Sequence, residues 1–358
     1  MRLLRVELQR LWARRVTRWM CVLALAVVAL SAVSAFGSAM PPSDAQLAEA
    51  ERAYQEQRDW WDENGEEELA GCQEQEASDP DPNADYGCEY MEPQLEHFLP
   101  PTTTFVADDG AEPVDVFEGD DGADVDPQVA SIQASQWNGW SGVGMLDEVA
   151  VAFLLLAFVV GVSFVTAEVS SGSLGMWLTF EPRRQRVYWS KAAAAGLGTV
   201  PHVLLGFAAT VGASVAFFAY FGALGDPTSD TWLQVAAYTG RLVVAGVGVS
   251  AVGVALGMLL RHAAAAIGVV VVVLWASGTF AFQLGEAQRW LPTVNLSAWL
   301  SAGKTFSVEK CTRGDDGSYA CTYVDHAVSQ TQGGLYVLAV AAALTILAAL
   351  VFRRRDVS

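Results

Sequence analysis

Apolar residues in this chain neither alternate nor recur every third or fourth position; they run on without a break. Six such stretches, residues 19–38, 149–167, 192–221, 242–260, 263–282 and 334–352, are each long enough to cross a hydrocarbon core, which takes roughly 20 helical residues. Inside lipid no water can satisfy the backbone, so the helix is the form they must take. The third stretch is over-long and contains Pro201, which predicts tilt, a kink or a protruding end.

The polar breaks carry the rest of the architecture. Residues 1–18 set Leu3, Leu4, Val6, Leu8, Leu11 and Trp12 among arginines, the pattern of an amphipathic helix lying on a membrane surface. Between the second and third apolar stretches, residues 168–191 hold helix-forming residues up to Phe180 and then Pro182. A residue before proline is pushed out of the helical region, so a short surface helix should end there. Residues 39–148 form the longest break. Ser43 and Gln46 match a capping box that opens a helix, and beyond Gly71 the composition turns to Asp, Pro and Gly and predicts an irregular cap. In residues 283–333, two loosely alternating segments flank Asp315-Asp316-Gly317, a hairpin signal whose register sets Cys311 opposite Cys321. The expected fold is an all-α polytopic membrane protein of six transmembrane helices.

Charge assigns sides to this layout. The chain is 52% hydrophobic with a mean hydropathy of +0.29, yet its net charge is −19. Residues 41–146 explain the contradiction, with 27 Asp and Glu against Arg52 and Arg58; the remainder is net basic. Of the 21 Lys and Arg residues, 14 lie in residues 1–18, 168–191, 353–358 or at Arg261. Short basic flanks stay in the cytoplasm, so both termini are expected there, in the plasma membrane of a bacterium. Trp12, Trp19, Trp177 and Trp189 mark that face, and Trp137, Trp140, Trp232, Trp290 and Trp299 the other. The first stretch is read as a retained anchor and not a cleaved signal peptide, because its basic lead-in of 18 residues is long and five spans follow.

Four cysteines fall in the two large outer loops, where thiols oxidise; of the three connectivities they allow, the local one, Cys72 with Cys88 and Cys311 with Cys321, is expected. Other chemistry finds little support. Asp79, Asp81, Asn83, Asp85 and Gly87 resemble a calcium loop, but Ala84 and Tyr90 stand where Gly and Glu are required. Gly303-Lys304-Thr305 ends like a phosphate loop without its first glycine. The four histidines are scattered and share no zinc spacing. No catalytic site, metal, cofactor or nucleic-acid partner is expected. His202 and Arg241 are the main ionisable residues within spans, which leaves an ion-coupled carrier as one alternative. A membrane-anchored sensor or structural protein working through its acidic loop is another. Gly246, Gly248, Gly253 and Gly257 predict close helix packing.

Glu168, Gly172, Ser173, Leu174, Trp177, Leu178, Pro182, Arg183, Arg184 and Lys191, with the amphipathic lead-in, six spans and the tail Arg353-Arg354-Arg355, resemble the permease subunit of an ABC exporter of the type-2 class. Residues 284–302 are similar to the re-entrant element after the fifth span of that class. The acidic loop departs from it, being much larger than the first loop of many relatives. The resemblance implies a separate ATP-binding subunit that receives the helix around residues 172–180 as a coupling helix, and a second permease copy, as homodimer or heterodimer. Leu174, Met176, Trp177 and Phe180 would then offer an apolar surface, and Arg183, Arg184 and Arg186 a charged rim.

Overall fold

The computed structural model describes residues 2–78, 86–99, 103–107, 129–134, 144–313 and 319–354. These form α1 (Arg2–Ala13), α2 (Arg15–Ala39), α3 (Asp44–Ser78), β1 (Thr103–Ala107), β2 (Val129–Ala134), α4 (Gly144–Ser170), α5 (Ser173–Phe180), α6 (Arg184–Tyr220), α7 (Ser229–Leu260), α8 (Ala263–Thr279), α9 (Pro292–Leu300), β3 (Gly303–Arg313), β4 (Tyr319–Ser329) and α10 (Gln330–Arg354). Short 3₁₀ helices occupy Cys88–Tyr90, Leu95–Phe98 and Phe282–Trp290.

Among the described residues five helices of 18 residues or more, α2, α4, α6, α7 and α10, are apolar enough to cross a membrane. Of the six expected spans, the stretch 263–282 holds a shorter apolar helix, at the lower end of the length that crosses a hydrocarbon core. That helix, α8, closes at Thr279 after 17 residues, about 25 Å of helix, because Ser277-Gly278-Thr279 are weak helix formers. The five longer helices all start before their apolar stretches, α6 and α7 by the most. α6 begins at Arg184 and α7 at Ser229, since backbone hydrogen bonding continues through polar turns that hydropathy does not count. Thr228 starts α7 by accepting from the Thr231 backbone N–H at 3.3 Å, a side-chain cap.

Packing divides the chain into two units. The larger comprises Met1–Val33, Val143–Ser214 and Pro227–Ser358, with α4 against α7 at its centre. A Cβ on Gly253 would stand 2.5 Å from the Phe158 carbonyl oxygen, and one on Gly161 closer still to that of Ser250. Only glycine permits this crossing. Of the other expected packing glycines, Gly257 also faces α4, Gly246 faces Val203 of α6, and Gly248 meets nothing within 4 Å.

After α8 the chain turns through the third 3₁₀ helix, broken at Gly285 (φ 51°), into α9, which has Pro292 in its first turn. The buried Asn295 amide donates to the Arg289 and Leu291 carbonyls at 2.7 and 2.9 Å and secures that turn. β3 and β4 pair antiparallel with Cys311 opposite Cys321, and the two are disulfide-bonded. Asp315-Asp316-Gly317 lies outside the described residues.

The smaller unit comprises Ser34–Gly142 and Val215–Asp226. Its α3 opens on the reciprocal cap, with Ser43 N–H donating to Gln46 Oε1 at 2.9 Å and Gln46 N–H to Ser43 Oγ at 3.3 Å. It runs 35 residues, through Gly71 to Ser78, further than composition predicted. Glu, Gln and Ala are strong helix formers, and one glycine costs only about 1 kcal/mol. The Cys72–Cys88 disulfide and the Arg58–Glu92 ion pair fold the following segment back along α3. Residues 79–85 of the calcium-like sequence lie outside the described residues.

Candidate functional site

The residues of the connector do not all point the same way. α4 ends at Ser170, and Gly172 adopts a left-handed conformation (φ 68°) at the N-cap of α5, a turn that glycine makes without a Cβ penalty. Nine residues later Glu181 is extended (φ −127°, ψ 92°), as the residue before Pro182 must be. Leu174 is 2% exposed and sits in a core with Leu11 of α1, Val160, Phe164 and Val165 of α4, Val187, Tyr188 and Ala192 of α6, and Phe352 of α10. Trp177 and Leu178 are half-buried against that core. Met176 and Phe180 are 69% and 80% exposed. The apolar surface expected from four side chains is thus split. Leu174 and Trp177 anchor α5 inward, while Met176 and Phe180 are offered outward.

The basic residues divide likewise. Arg183 and Arg186 are exposed at the start of α6, and Arg186 pairs with Glu181 at 3.6 Å. Arg184 is half-buried in the first turn. Gln185 and Tyr188 donate to the Ala349 and Thr345 carbonyls of α10 at 2.7 and 2.9 Å, so the entrance to α6 is tied to α10.

Beneath α5 lies a buried ion cluster. The Lys191 ammonium, wholly buried, donates to Glu7 Oε2 at 3.0 Å and stands 2.6 Å from Glu168 Oε2. Arg14 donates to Glu168 Oε1 at 2.5 Å and to the Phe164 carbonyl at 2.8 Å. Phe164 lies under both cations, its ring centre 4.8 Å from the Arg14 guanidinium carbon and 4.9 Å from Lys191 Nζ. Burial lowers the Arg14 guanidinium below its usual basicity, and Glu168 opposes that shift; the two charges are mutually dependent. Glu7 and Glu168 balance Lys191 and Arg14, so the interior is neutral as a set.

Glu168 and Lys191 were legible in the connector; Glu7 and Arg14 were missed. A signal existed, because Glu7 is the only acidic residue among the first 43. His202 and Arg241 are not brought together with this cluster. His202 Nε2 lies 2.9 Å from Cys21 Sγ and its ring stacks on Trp12, which is packing between helices. The Arg241 carbonyl accepts from Trp299 Nε1 at 3.3 Å.

A family profile described as ABC-2 family transporter protein matches residues 1–357. The chain belongs to the ABC-2 transporter family. No curated protein and no solved structure matches it. In this ABC-2 transporter chain the connector between α4 and α6, with its half-exposed helix and buried ions, is therefore a feature of a membrane transport protein.

Proposed function

We propose that this chain is the permease subunit of an ATP-driven exporter in the plasma membrane, lining the translocation path with a second permease copy and hydrolysing nothing itself. The connector faces the cytoplasm in this reading, and a separate ATP-binding subunit receives α5. The observation that carries it is the division of α5 into a buried anchor, Leu174, and an exposed pair, Met176 and Phe180. A helix merely resting in headgroups needs no anchor shared with α1, α4, α6 and α10. Apolar side chains in a partner's cleft supply binding energy, and Arg183 and Arg186 at the rim supply orientation. Closure on ATP would then displace α5, and Leu174 would pass that displacement to the core it shares.

The test is Met176→Asp with Phe180→Asp in the full chain, co-expressed with the ATP-binding subunit. Both side chains are solvent-facing, so the permease should remain folded and monodisperse while capture of the partner falls by at least about tenfold. Undiminished capture, with ATP turnover at the level of the unsubstituted complex, would overturn the docking assignment.

A further inference from the structure

An amphipathic helix resting on a membrane has no use for a carboxylate on its buried side, yet Glu7 of α1 is wholly buried. Its nearest cation among the described residues is Lys191 at 3.0 Å, with Arg10 at 3.8 Å, and the same Lys191 ammonium stands 2.6 Å from Glu168 at the end of α4. A single lysine on α6 therefore holds carboxylates from two other helices. Arg14, at the bend between α1 and α2, closes the set on Glu168. Directly against α5, the Arg10 guanidinium lies 4.6 Å from the centre of the Trp177 ring, and Leu11 and Leu174 share one core. α1 thus touches α5 itself and is tied by charge to the helices on either side of it.

Apolar packing would stabilise such an interior at least as well, since buried ion pairs seldom repay their desolvation. What an ion cluster adds is one geometry that resists sliding. α2 has much of its surface turned outward, at Leu25, Leu30 and Val33 among others, and besides its contact with α6 at His202 it is joined to the connector through α1. We propose that Lys191, clamped between Glu7 and Glu168, locks α1 to α6 and α4, so that α1 moves as one rigid body with the α5 it packs against. Displacement of α5 then reaches α2 through the bend at Arg14 as well as reaching α4 and α6. Glu7, Arg14 and Lys191 are positioning residues in this scheme, which rests on the docking role given to α5.

Two measurements test it. Hydrogen exchange on the full chain alone needs no partner and so separates this proposal from the docking assignment. Glu7→Gln should speed exchange in α5 together with α1, and acceleration confined to α1 would overturn the joint. In the complex with the ATP-binding subunit, Glu7→Gln should lower ATP turnover by about tenfold at unchanged stoichiometry, with Glu7→Asp recovering most of it. The neutral pair Glu7→Gln with Lys191→Met separates coupling from mere stability. It should regain thermal stability over Lys191→Met but not turnover; a recovery of turnover in step with stability would reduce the cluster to a structural role and overturn the proposal.

Discussion

Lys191→Met removes one positive charge from between two carboxylates while keeping the length of the side chain, and the geometry says which acid suffers. Glu168 retains Arg14 at 2.5 Å. Glu7 retains only Arg10, whose guanidinium is 3.8 Å away and partly in solvent. The orphaned charge is therefore Glu7, on α1. Removing one partner of a buried ion pair costs about 3–5 kcal/mol, because the other is left charged and dry. Adding Glu7→Gln deletes that charge, and contacting buried groups couple by up to about 3 kcal/mol, so the double variant should recover roughly 2–3 kcal/mol of the loss. Unfolding in lipid nanodiscs by heat or denaturant, followed by tryptophan fluorescence, gives the ordering: native above the double variant, and the double variant above Lys191→Met. A double variant less stable than Lys191→Met would mean that Glu7 and Lys191 act independently, and would refute the cluster as a charge-balanced unit.

Two further expectations concern packing and pH. Gly161→Ala should destabilise the α4–α7 crossing by about 1–3 kcal/mol through overpacking. Gly248→Ala, with nothing within 4 Å of its added methyl, should instead gain about 0.5–1 kcal/mol from helix propensity; equal midpoints for the two would remove the close-approach argument. Glu286 accepts a hydrogen bond from Lys310, which with the charges of Lys310 and His326 holds its carboxyl below the usual value. A depressed folded pKa gives stabilisation that is complete above the unfolded value and lost as pH falls through the folded one. Protection of the β3 amides near Lys310, taken as exchange relative to the intrinsic rate at each pH, should therefore hold at neutral pH and fall only in acid, and Lys310→Met should abolish that acid step; an unchanged step would assign it to another group.

Much of this molecule was legible because its signals are local. Apolar runs such as 149–167 exceed what any soluble helix needs, the Ser43–Gln46 cap and the stop at Pro182 each depend on neighbours within a few residues, and Cys311 meets Cys321 because hairpin register is counted along the chain. Where local signals misled, the cause was equally physical. Hydropathy measures side chains in lipid, not the backbone ladder, so α6 and α7 outran their apolar cores and α8 closed three residues before the end of its own. α3 ran past Gly71 because residues 73–77 are Gln, Glu and Ala, and the Asp and Pro that predict an irregular chain begin only at Asp79.

The sequence by itself determined a multi-pass helical membrane protein with a short helix caught between Gly172 and Pro182. It also marked Glu168 and Lys191 at the edges of that helix. Only the tertiary structure decided which face of α5 is anchored, because Leu174 and Met176 are both apolar and their fates depend on what packs beneath. Only it brought Glu7 and Arg14 to Glu168 and Lys191, across separations of 154 and 184 residues. A buried charge must find its opposite wherever the fold supplies one, and nothing in the residues around Glu7 says where that is.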